Sequence, residues 1–428
     1  YIKFHYILII QPEMYNDINK YYKYYKGKQD IIYKSSTDVG KPCNRIVTNY
    51  CYNIVQNYLG YLTGIDIAYQ SEKDFVEIQK VLDYNDVRTE DNDYLRQALI
   101  YGCSYEINYI DELGQQRFKV LDPREVIPIY ANDLDSELLY VIRYYVADNI
   151  NEAQEKYYIE VYSKDRTLIY ESSVGFAVLS LLEERPNYFK QVPITVFPLN
   201  QERESIFDKV MSLQDAYNKL LSSEVDDFES FCDAYLILKG VQADADDLQA
   251  MKQNRVLIMD ADAEASYLTK SVSDTQIENM LKNINDTIHK IANSPDFNDD
   301  KFMSASGISM RYKLTGFENV SSNIVANMTK ALQKRIELIC EVINIKGGDS
   351  MWRDIDIVFT RNLPVNTLEI AQMVNQLRGL VSDATLLAQL PFVGDVQKEL
   401  EQLKEQKQAN IDMYSFQNNQ EETVNEQQ

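Results

Sequence analysis

Residues 205–220 read Ser-Ile-Phe-Asp-Lys-Val-Met-Ser-Leu-Gln-Asp-Ala-Tyr-Asn-Lys-Leu. The apolar positions of this stretch are separated by four, three, four and three residues: Ile206, Val210, Leu213, Tyr217 and Leu220. A repeat of about 3.5 residues predicts a helix that packs lengthwise along another helix. Ser205 is a suitable N-cap, so we place the helix at about 205–228, a rod of roughly 35 Å.

A second rod is predicted downstream of a small insert. Ser273 and Gln276 have the spacing of a capping box. Apolar residues then recur at helical spacing until Ser294-Pro295 ends the pattern: Ile277, Met280, Leu281, Ile284, Ile288 and Ile291. Between the rods, strand-like runs at 235–238 and 256–259 flank a helical pattern at 244–254. The sequence therefore predicts two long helices joined by a β-α-β insert.

The region before the first rod mixes both periodicities. Helical spacing occurs at 43–62, 74–83 and 94–101. Alternation with a period of two then predicts strands at 104–110, 116–121, 126–130, 138–146, 156–162 and 167–170. The Asp111-Glu-Leu-Gly114 stretch between the first two strands is typical of a hairpin turn. Residues 1–204 therefore form a predicted α/β region.

The region after the second rod begins with a predicted loop at 295–306. A long helical pattern follows until Gly347-Gly348, with Gly307 and Gly316 as kink points near its start. A strand is predicted at 354–360, and short helices at 367–378, 382–389 and 395–407. The Gln-rich tail 408–428 has few apolar residues and is predicted to be disordered. The fold class is therefore α+β, with several domains.

Composition bounds the function. The 428 residues carry a net charge of −23, which argues against a broad basic face that grips nucleic acid. It does not exclude a passage whose acidic wall keeps DNA mobile, but from composition alone the favoured interpretation is that the acidity only provides solubility. The longest apolar run near the start, residues 6–10, is too short to span a membrane. We expect a soluble protein that is intracellular when it is made. Its five scattered cysteines are expected to be free thiols.

Catalytic motifs are missing from the sequence. There is no Walker phosphate loop, no Gly-x-Gly-x-x-Gly and no Gly-x-Ser-x-Gly. With only two histidines and no Cys-x-x-Cys, a zinc site is not expected, and His289 is interpreted as a surface or packing residue. Asp354 and Asp356, on one face of a predicted strand, could form a metal-binding pair, but an exposed strand face is the favoured interpretation. We predict no enzyme activity, no cofactor and no metal.

Four groups of residues carry a resemblance to a known family. They are Tyr101-Gly-Cys-Ser-Tyr-Glu106 with Pro123-Arg-Glu-Val-Ile127, Val192-Pro-Ile-Thr-Val-Phe-Pro-Leu-Asn200 with Leu213-Gln-Asp-Ala-Tyr-Asn218, Ser306-Gly-Ile-Ser-Met-Arg-Tyr-Lys313, and Arg361-Asn-Leu-Pro-Val-Asn366 with Leu390-Pro-Phe-Val393. In this order the chain resembles the portal proteins of tailed bacteriophages, most closely those of siphophages with Gram-positive hosts. The resemblance covers about residues 40–405. Pro198 departs from the family pattern.

The resemblance implies a portal fold, with an α/β wing, a long-helix stem, a small β-α-β clip, a kinked long helix and a helical crown. Its parts would be the wing at 1–204 with a return strand at 351–362, the stem helices at 205–230 and 273–294, the clip at 231–272, the tunnel loop at 295–306, the kinked helix at 307–350 and the crown at 363–407. A ring of such subunits, twelve in the family, would pass double-stranded DNA into and out of the capsid. The implied partners are the terminase packaging motor, the head–tail adaptor, and capsid and scaffold proteins; the implied location is the portal vertex of the virion.

The resemblance also assigns candidate contact residues. The tunnel-loop residues expected to face DNA are Asp296, Phe297, Asn298, Asp299, Asp300, Lys301, Phe302 and Met303. Phosphate contacts are expected from Lys301, Arg311 and Lys313. Partner contacts of the clip are expected from Asp244, Asp247, Lys252 and Arg255.

Three alternatives stay open at this point. Another structural virion or scaffold protein would form no central hole of duplex width. A metal-dependent nuclease would use Asp354 and Asp356. A soluble helical binding protein would stay monomeric. The physical argument that favours a ring is that one pair of rods buries only part of its apolar surface, and neighbouring copies can cover the rest.

Overall fold

The computed structural model describes residues 12–35, 42–134, 136–147, 156–172, 178–232, 235–239, 264–268, 274–297, 307–348, 351–362 and 367–387, with 390, 393, 396, 399, 400 and 402–404. The chain divides into one compact unit that ends at Asn362 and a second that begins at Leu363. In the part of the chain that is described, no helix is both long and apolar enough to cross a bilayer.

The first unit opens with helices and continues into strands. The helices are α1 (Pro12–Tyr25), α2 (Tyr50–Thr63), α3 (Val76–Tyr84) and α4 (Val87–Tyr101). The strands are β1 (Ala68–Gln70), β2 (Cys103–Ile110), β3 (Gln116–Leu121), β4 (Val126–Tyr130), β5 (Leu138–Ala147), β6 (Lys156–Tyr162), β7 (Arg166–Ser172), β8 (Ser180–Pro186) and β9 (Ile194–Pro198). The mixture of helices and strands expected for this region is confirmed.

The long helices follow. They are α5 (Met211–Cys232), then strands β10 (Tyr235–Lys239) and β11 (Glu264–Leu268), helix α6 (Asp274–Ile291), helix α7 (Gly307–Lys313), helix α8 (Thr315–Ile345) and strand β12 (Asp356–Val358). The long pattern after the loop is divided at Leu314, so the predicted irregularity near its start lies between α7 and α8. The second unit contains α9 (Thr367–Leu377) and α10 (Asp383–Leu387).

All named sheets are antiparallel. β2 is the centre of a three-stranded sheet in the order β3-β2-β9, and β4 to β8 form a five-stranded meander. β1 pairs with β12, with Ala68 opposite Val358, so the chain returns near the end of the first unit to a strand near its start. β8 and β9 carry no pattern that we recognised in the sequence. For β8 the reason is physical: all seven residues are exposed, so no alternation marks a buried face.

The start of the helix predicted at 43–62 is wrong. Residues 42–49 are not helical, and α2 begins at Tyr50. Their alternate backbone N–H groups instead bind polar side chains of α5, as described below. The first rod also begins later than expected, because a 3-10 turn occupies Asp208–Val210.

Helix α4 is longer than the predicted 94–101. Its first half buries Glu90 and Asp91, so no apolar pattern marks it. Glu90 accepts a hydrogen bond from the backbone N–H of Val120 at 3.1 Å. Asn85 likewise accepts one from Phe118 N–H at 3.1 Å. These side chains bind the outer edge of β3, where an exposed strand would otherwise offer its backbone to another chain.

The insert between the rods differs from the prediction in one strand. β10 lies where the first strand was expected, but its partner is β11 at 264–268, with Tyr235 opposite Leu268. The Glu-Ala-Ser-Tyr-Leu sequence of β11 alternates polar and apolar residues, as a half-exposed strand requires. The predicted strand 256–259 and helix 244–254 lie outside the described residues, as do the tail 408–428 and most of the predicted helix 395–407.

The centre of the core is α8. It buries an apolar stripe that packs on β9, α3 and the return segment. One core cluster joins Ile336, Ile339 and Ile343 of α8 to Leu82 of α3 and Phe118 of β3. Cys51, Cys103 and Cys340 are buried, and these three and Cys43 are free thiols, as the sequence predicted.

Candidate functional site

The helices α5 and α6 pack against each other, as the two predicted rods should. The buried stripe of α5, however, is not the predicted apolar one. Gln214, Asn218 and Ser222 are fully buried at a spacing of four residues, whereas Leu213 and Tyr217 are only partly buried. The heptad-like pattern predicted the rod correctly, but it did not identify the face that the chain itself covers.

Residues 42–49, which we call the strap, cover the polar stripe. Three alternate backbone N–H groups of the strap, and that of Tyr50 directly after it, each donate to a side chain one helical turn further along α5. Tyr50 donates to Gln214 at 2.9 Å, Thr48 to Asn218 at 3.0 Å, Ile46 to Ser222 at 2.9 Å and Asn44 to Asp226 at 2.6 Å. Two residues of extended chain advance about 6.6 Å, and four residues of helix advance about 6 Å. The near match of these steps allows the ladder to stay in register.

Two further contacts fix the ladder. Asn218 also accepts from the Thr48 hydroxyl at 2.7 Å and donates to the Gln29 side chain. At the other end, Lys34 Nζ lies 2.7 Å from Asp226. Partial burial opposes ionisation of Asp226, but the hydrogen bonds from Lys34 and Asn44 outweigh it and lower the pKa of this carboxyl.

The chain leaves α6 through a tightly held turn. Asn293 has a φ of 49°, in the left-handed region that commonly ends a helix. The Tyr58 hydroxyl donates to the Ala292 carbonyl at 3.0 Å, and Asn57 donates to the Ser294 hydroxyl at 2.9 Å. His289 Nδ1 lies 2.9 Å from the Ser294 carbonyl oxygen, and its ring packs edge-on against Tyr50. His289 is therefore a packing residue, as expected.

The first residues of the predicted tunnel loop contact side chains of α6 and α8. The Phe297 ring lies edge-on to the buried ring of Phe317, with centroids 6.4 Å apart. Asp296 Oδ2 lies 4.0 Å from His289 Nε2. Both side chains are half-buried. The other predicted DNA-facing residues, Asn298 to Met303 and so also Lys301, lie outside the described residues.

A groove of about 690 Å³ opens at the base of this loop. Its charged lining combines Lys282, Lys290 and Lys313 with Asp286 and Asp296, and we call it the loop-base groove. Lys313 was among the predicted phosphate contacts. Lys282 and Lys290 were missed, although Lys282, Asp286 and Lys290 recur every four residues on one face of α6, a signal present in the sequence.

The side chains of the remaining candidates lie outside the described part of the structure. Arg311 lies in α7, and its side chain is not described. The clip candidates Asp244, Asp247, Lys252 and Arg255 lie outside the described residues.

The structure contradicts the predicted placement of Asp354 and Asp356 on one strand face. Asp354 ends a 3-10 turn and pairs with Lys73 at 2.8 Å, while only Asp356 lies on β12. The two therefore do not share a strand face. Within the described ranges, no three His, Cys, Asp or Glu side chains are placed to hold a metal ion.

Comparison with known proteins decides the family. The model of a family described as "Phage portal protein, SPP1 Gp6-like" matches residues 5–413. The chain belongs to this phage portal protein family. The resemblance to phage portal proteins is thereby confirmed.

Two relatives of the chain carry the name portal protein. One, from Clostridium phage phiCD119, is 22% identical over 405 residues, which cover 88% of this chain and 89% of the relative. The other, from Bacillus phage SPP1, is 23% identical over 411 residues, which cover 91% of this chain and 81% of the relative.

Membership has two consequences for the predictions. Phage portal proteins form a structural, non-enzymatic family, which confirms that the chain is not an enzyme. Membership also implies an oligomeric protein associated with the phage capsid.

Proposed function

We propose that copies of this portal chain form a ring at one capsid vertex, through which double-stranded DNA enters during packaging and leaves during ejection. The observation that carries the proposal is the surface of the α5–α6 pair. Phe228 of α5 is 69% exposed and Met280 of α6 is 55% exposed, and the apolar positions Leu213, Ile277 and Leu281 are only partly buried. Neighbouring copies in a closed ring would cover this surface.

The parts of the ring follow from the family resemblance. Residues 1–204 with 351–362 form the wing, α5 and α6 belong to the stem, 231–272 form the clip, 307–350 form the kinked helix and 363–407 form the crown. The number of copies expected from the family is twelve. The strap supports the stem assignment, because it ties α5 to the N-terminal part of the chain along about three helical turns.

The DNA-facing part is the tunnel loop at 295–306 with the residues at its base. Lys282, Lys290 and Lys313 of the loop-base groove, together with Lys301 and Arg311, would make transient phosphate contacts. The net charge of −23 for each chain would repel the duplex from the rest of the wall. A small number of cations in an acidic passage favours contacts that break easily, as a moving duplex requires.

The clip is proposed as the contact surface of the packaging motor and later of the head–tail connector. Asp244, Asp247, Lys252 and Arg255 are its candidate contact residues. The wing and crown would contact capsid and scaffold proteins, and the assembled ring would be located in the virion.

The proposal is tested by native mass spectrometry and negative-stain microscopy of the purified full chain. We expect rings with a central channel wide enough for duplex DNA. Met280→Glu places a charge on the exposed apolar face of α6 and should convert rings into single chains. Leu113→Glu, at the exposed tip of the β2–β3 hairpin, is the matched control and should leave rings intact. A stable solitary wild-type chain at high concentration would contradict the proposal.

A further inference from the structure

The two ring nitrogens of His289 have different surroundings where the chain leaves α6. Nδ1 lies 2.9 Å from the carbonyl oxygen of Ser294. Because a carbonyl oxygen only accepts hydrogen bonds, we assign the proton of the neutral ring to Nδ1, which donates it to Ser294. The other nitrogen, Nε2, then has a lone pair and no hydrogen. The contact with Ser294 therefore leaves Nε2 as the atom that can gain a proton.

Nε2 faces a carboxylate. Asp296 Oδ2 lies 4.0 Å from it, and among the residues that the structure describes no other carboxylate comes as close to the ring. The lone pair of a neutral ring gains nothing from a carboxylate oxygen, whereas a positively charged N–H attracts it. Protonation of His289 therefore creates an attraction between α6 and the second residue of the tunnel loop.

The other groups around the ring come from α2, α6 and α7. Tyr50 of α2 packs edge-on against His289. Burial, a hydrogen bond with Tyr217 and the nearby charge of Asp296 raise the pKa of Tyr50, so its hydroxyl stays neutral near pH 7. The charged groups are three lysines, which oppose protonation of the ring, and two carboxylates, which favour it. They are Lys282, Lys290 and Lys313, with Asp286 and Asp296.

The contact between His289 and Asp296 is open to solvent. Both residues line the loop-base groove, and their side chains retain 16% and 36% of their exposure. Protons can therefore reach Nε2 through the groove. Water also screens the attraction, so it shifts the position of the loop by a small factor and does not lock it.

The residues on either side of Asp296 are held by neutral contacts. The Phe297 ring lies edge-on to Phe317, and the Ser294 hydroxyl accepts a hydrogen bond from Asn57 at 2.9 Å. Neither contact involves a group that gains or loses a proton near pH 7. Within residues 294–297, the contact of Asp296 with His289 is thus the one that protonation of the ring changes directly.

We propose that His289 is a positioning residue, whose protonated ring holds Asp296 and with it the first residues of the tunnel loop on α6. Histidine is the side chain whose charge ordinarily changes between pH 5 and 8. The attachment is therefore tighter at the acidic end of this range and weaker at the basic end. The contact is defined by the described residues, whereas its effect on DNA rests on the proposed function.

The test is hydrogen exchange of the assembled full chain at about pH 5 and about pH 8. Rates are expressed as protection relative to the intrinsic exchange rate at each pH. We expect peptides covering residues 294–297 to be about two- to fivefold more protected at the lower pH. His289→Gln keeps a donor for the Ser294 carbonyl but cannot gain a proton, and Asp296→Asn removes the carboxylate. Each should abolish the difference.

Glu278→Gln is the matched control, because it removes one carboxylate from an exposed position of the same helix. It should keep the difference in protection. Equal protection of the parent chain at both pH values, or a difference that persists in His289→Gln or Asp296→Asn, would overturn the proposal. If His289 served packing alone, His289→Gln would lower protection equally at both pH values.

Native mass spectrometry of the same samples reports ring assembly separately. Rings without a pH-dependent difference would contradict the positioning role of His289 alone. Solitary chains that show the difference would contradict the proposed ring alone. The two proposals can therefore fail independently.

Discussion

The two longest helices, α5 and α8, bury opposite kinds of surface. α8 buries thirteen residues, nearly all apolar, and its single buried cation is Arg335. α5 buries Gln214, Asn218 and Ser222 against the strap and leaves its large apolar side chains from Leu213 to Phe228 partly or largely exposed. The difference shows which surfaces one chain completes by itself. The apolar face of α8 is covered within the subunit, whereas the apolar face of α5 is available to a neighbour.

Arg335 is the one charged residue among the buried residues of α8. Its Nη2 lies 2.5 Å from Glu106, and its Nη1 lies 2.5 Å from Asp91 and 3.1 Å from the Tyr69 hydroxyl. All three charged groups are buried. Since removing one partner leaves the others as uncompensated buried charges, this cluster is where the core is most vulnerable to a single change.

The largest effect is therefore expected for Arg335→Met. This substitution leaves two buried carboxylates without their cation and should lower the free energy of unfolding by about 3–5 kcal/mol. Urea denaturation of assembly-deficient single chains measures the change. Lys334→Met, at the half-exposed neighbouring position, is the control and should cost less than about 1 kcal/mol. A loss below that level for Arg335→Met would show that the core tolerates the cluster without its cation.

The next effect concerns the strap. Asn218→Leu keeps the size of the side chain but removes the acceptor for Thr48 N–H and the donor to Gln29. Because these groups are buried, we expect a loss of about 2–3 kcal/mol. Hydrogen exchange should also show reduced protection of the Thr48 amide. Lys219→Leu changes the adjacent exposed position and should alter stability by no more than about 0.5 kcal/mol.

These two sites show what the sequence could and could not provide. The rods, most strands of the first unit and the long helix after the loop follow from periodicity, because their buried positions are apolar. The strap does not, since its hydrogen-bond partners are side chains more than 160 residues away. The start of α4 was missed for the same reason: Glu90 and Asp91 are buried by distant partners, Lys119 and Arg335.

The candidate site was predictable only in outline. The order of its parts and Lys313 came from the resemblance, and the Lys-Asp-Lys face of α6 could have been found by its four-residue spacing. The anchoring of Phe297 on Phe317 and of Ser294 on Asn57 depends on tertiary contacts. No local pattern encodes them.

A smaller effect is expected from pH. Burial raises the pKa of Asp91 and of Glu106, and Arg335 only partly offsets it. A carboxyl whose pKa is higher in the folded than in the unfolded chain favours folding at low pH and loses that contribution as the pH rises. Without Arg335 the offset disappears. The stability defect of Arg335→Met should therefore shrink between pH 7 and pH 5, by about 1 kcal/mol.

The control for this pH effect is a chain in which one carboxyl cannot titrate. Arg335→Met combined with Glu106→Gln should show a weaker pH dependence than Arg335→Met alone. Unfolding free energies at both pH values, each compared with the parent chain, provide the measurement. A defect that grows toward pH 5 would reverse the sign and contradict the assignment of raised pKa values.

The smallest effect is expected at the far end of the strap. There the hydrogen-bond acceptor on α5 is the carboxylate of Asp226, which also pairs with Lys34, and not a neutral side chain. Lys34 and Asp226 retain 30% and 18% of their side-chain exposure, so water and salt screen their attraction. Lys34→Gln should cost less than about 1 kcal/mol, and the loss should fall further in high salt. Asp226 would keep its hydrogen bonds from Asn44, so the strap should stay bound. Suppose instead that Lys34→Gln lowered the free energy of unfolding as much as Asn218→Leu. The ion pair, and not the neutral hydrogen bonds, would then hold the strap on α5, and charge would have to explain the contrast between α5 and α8.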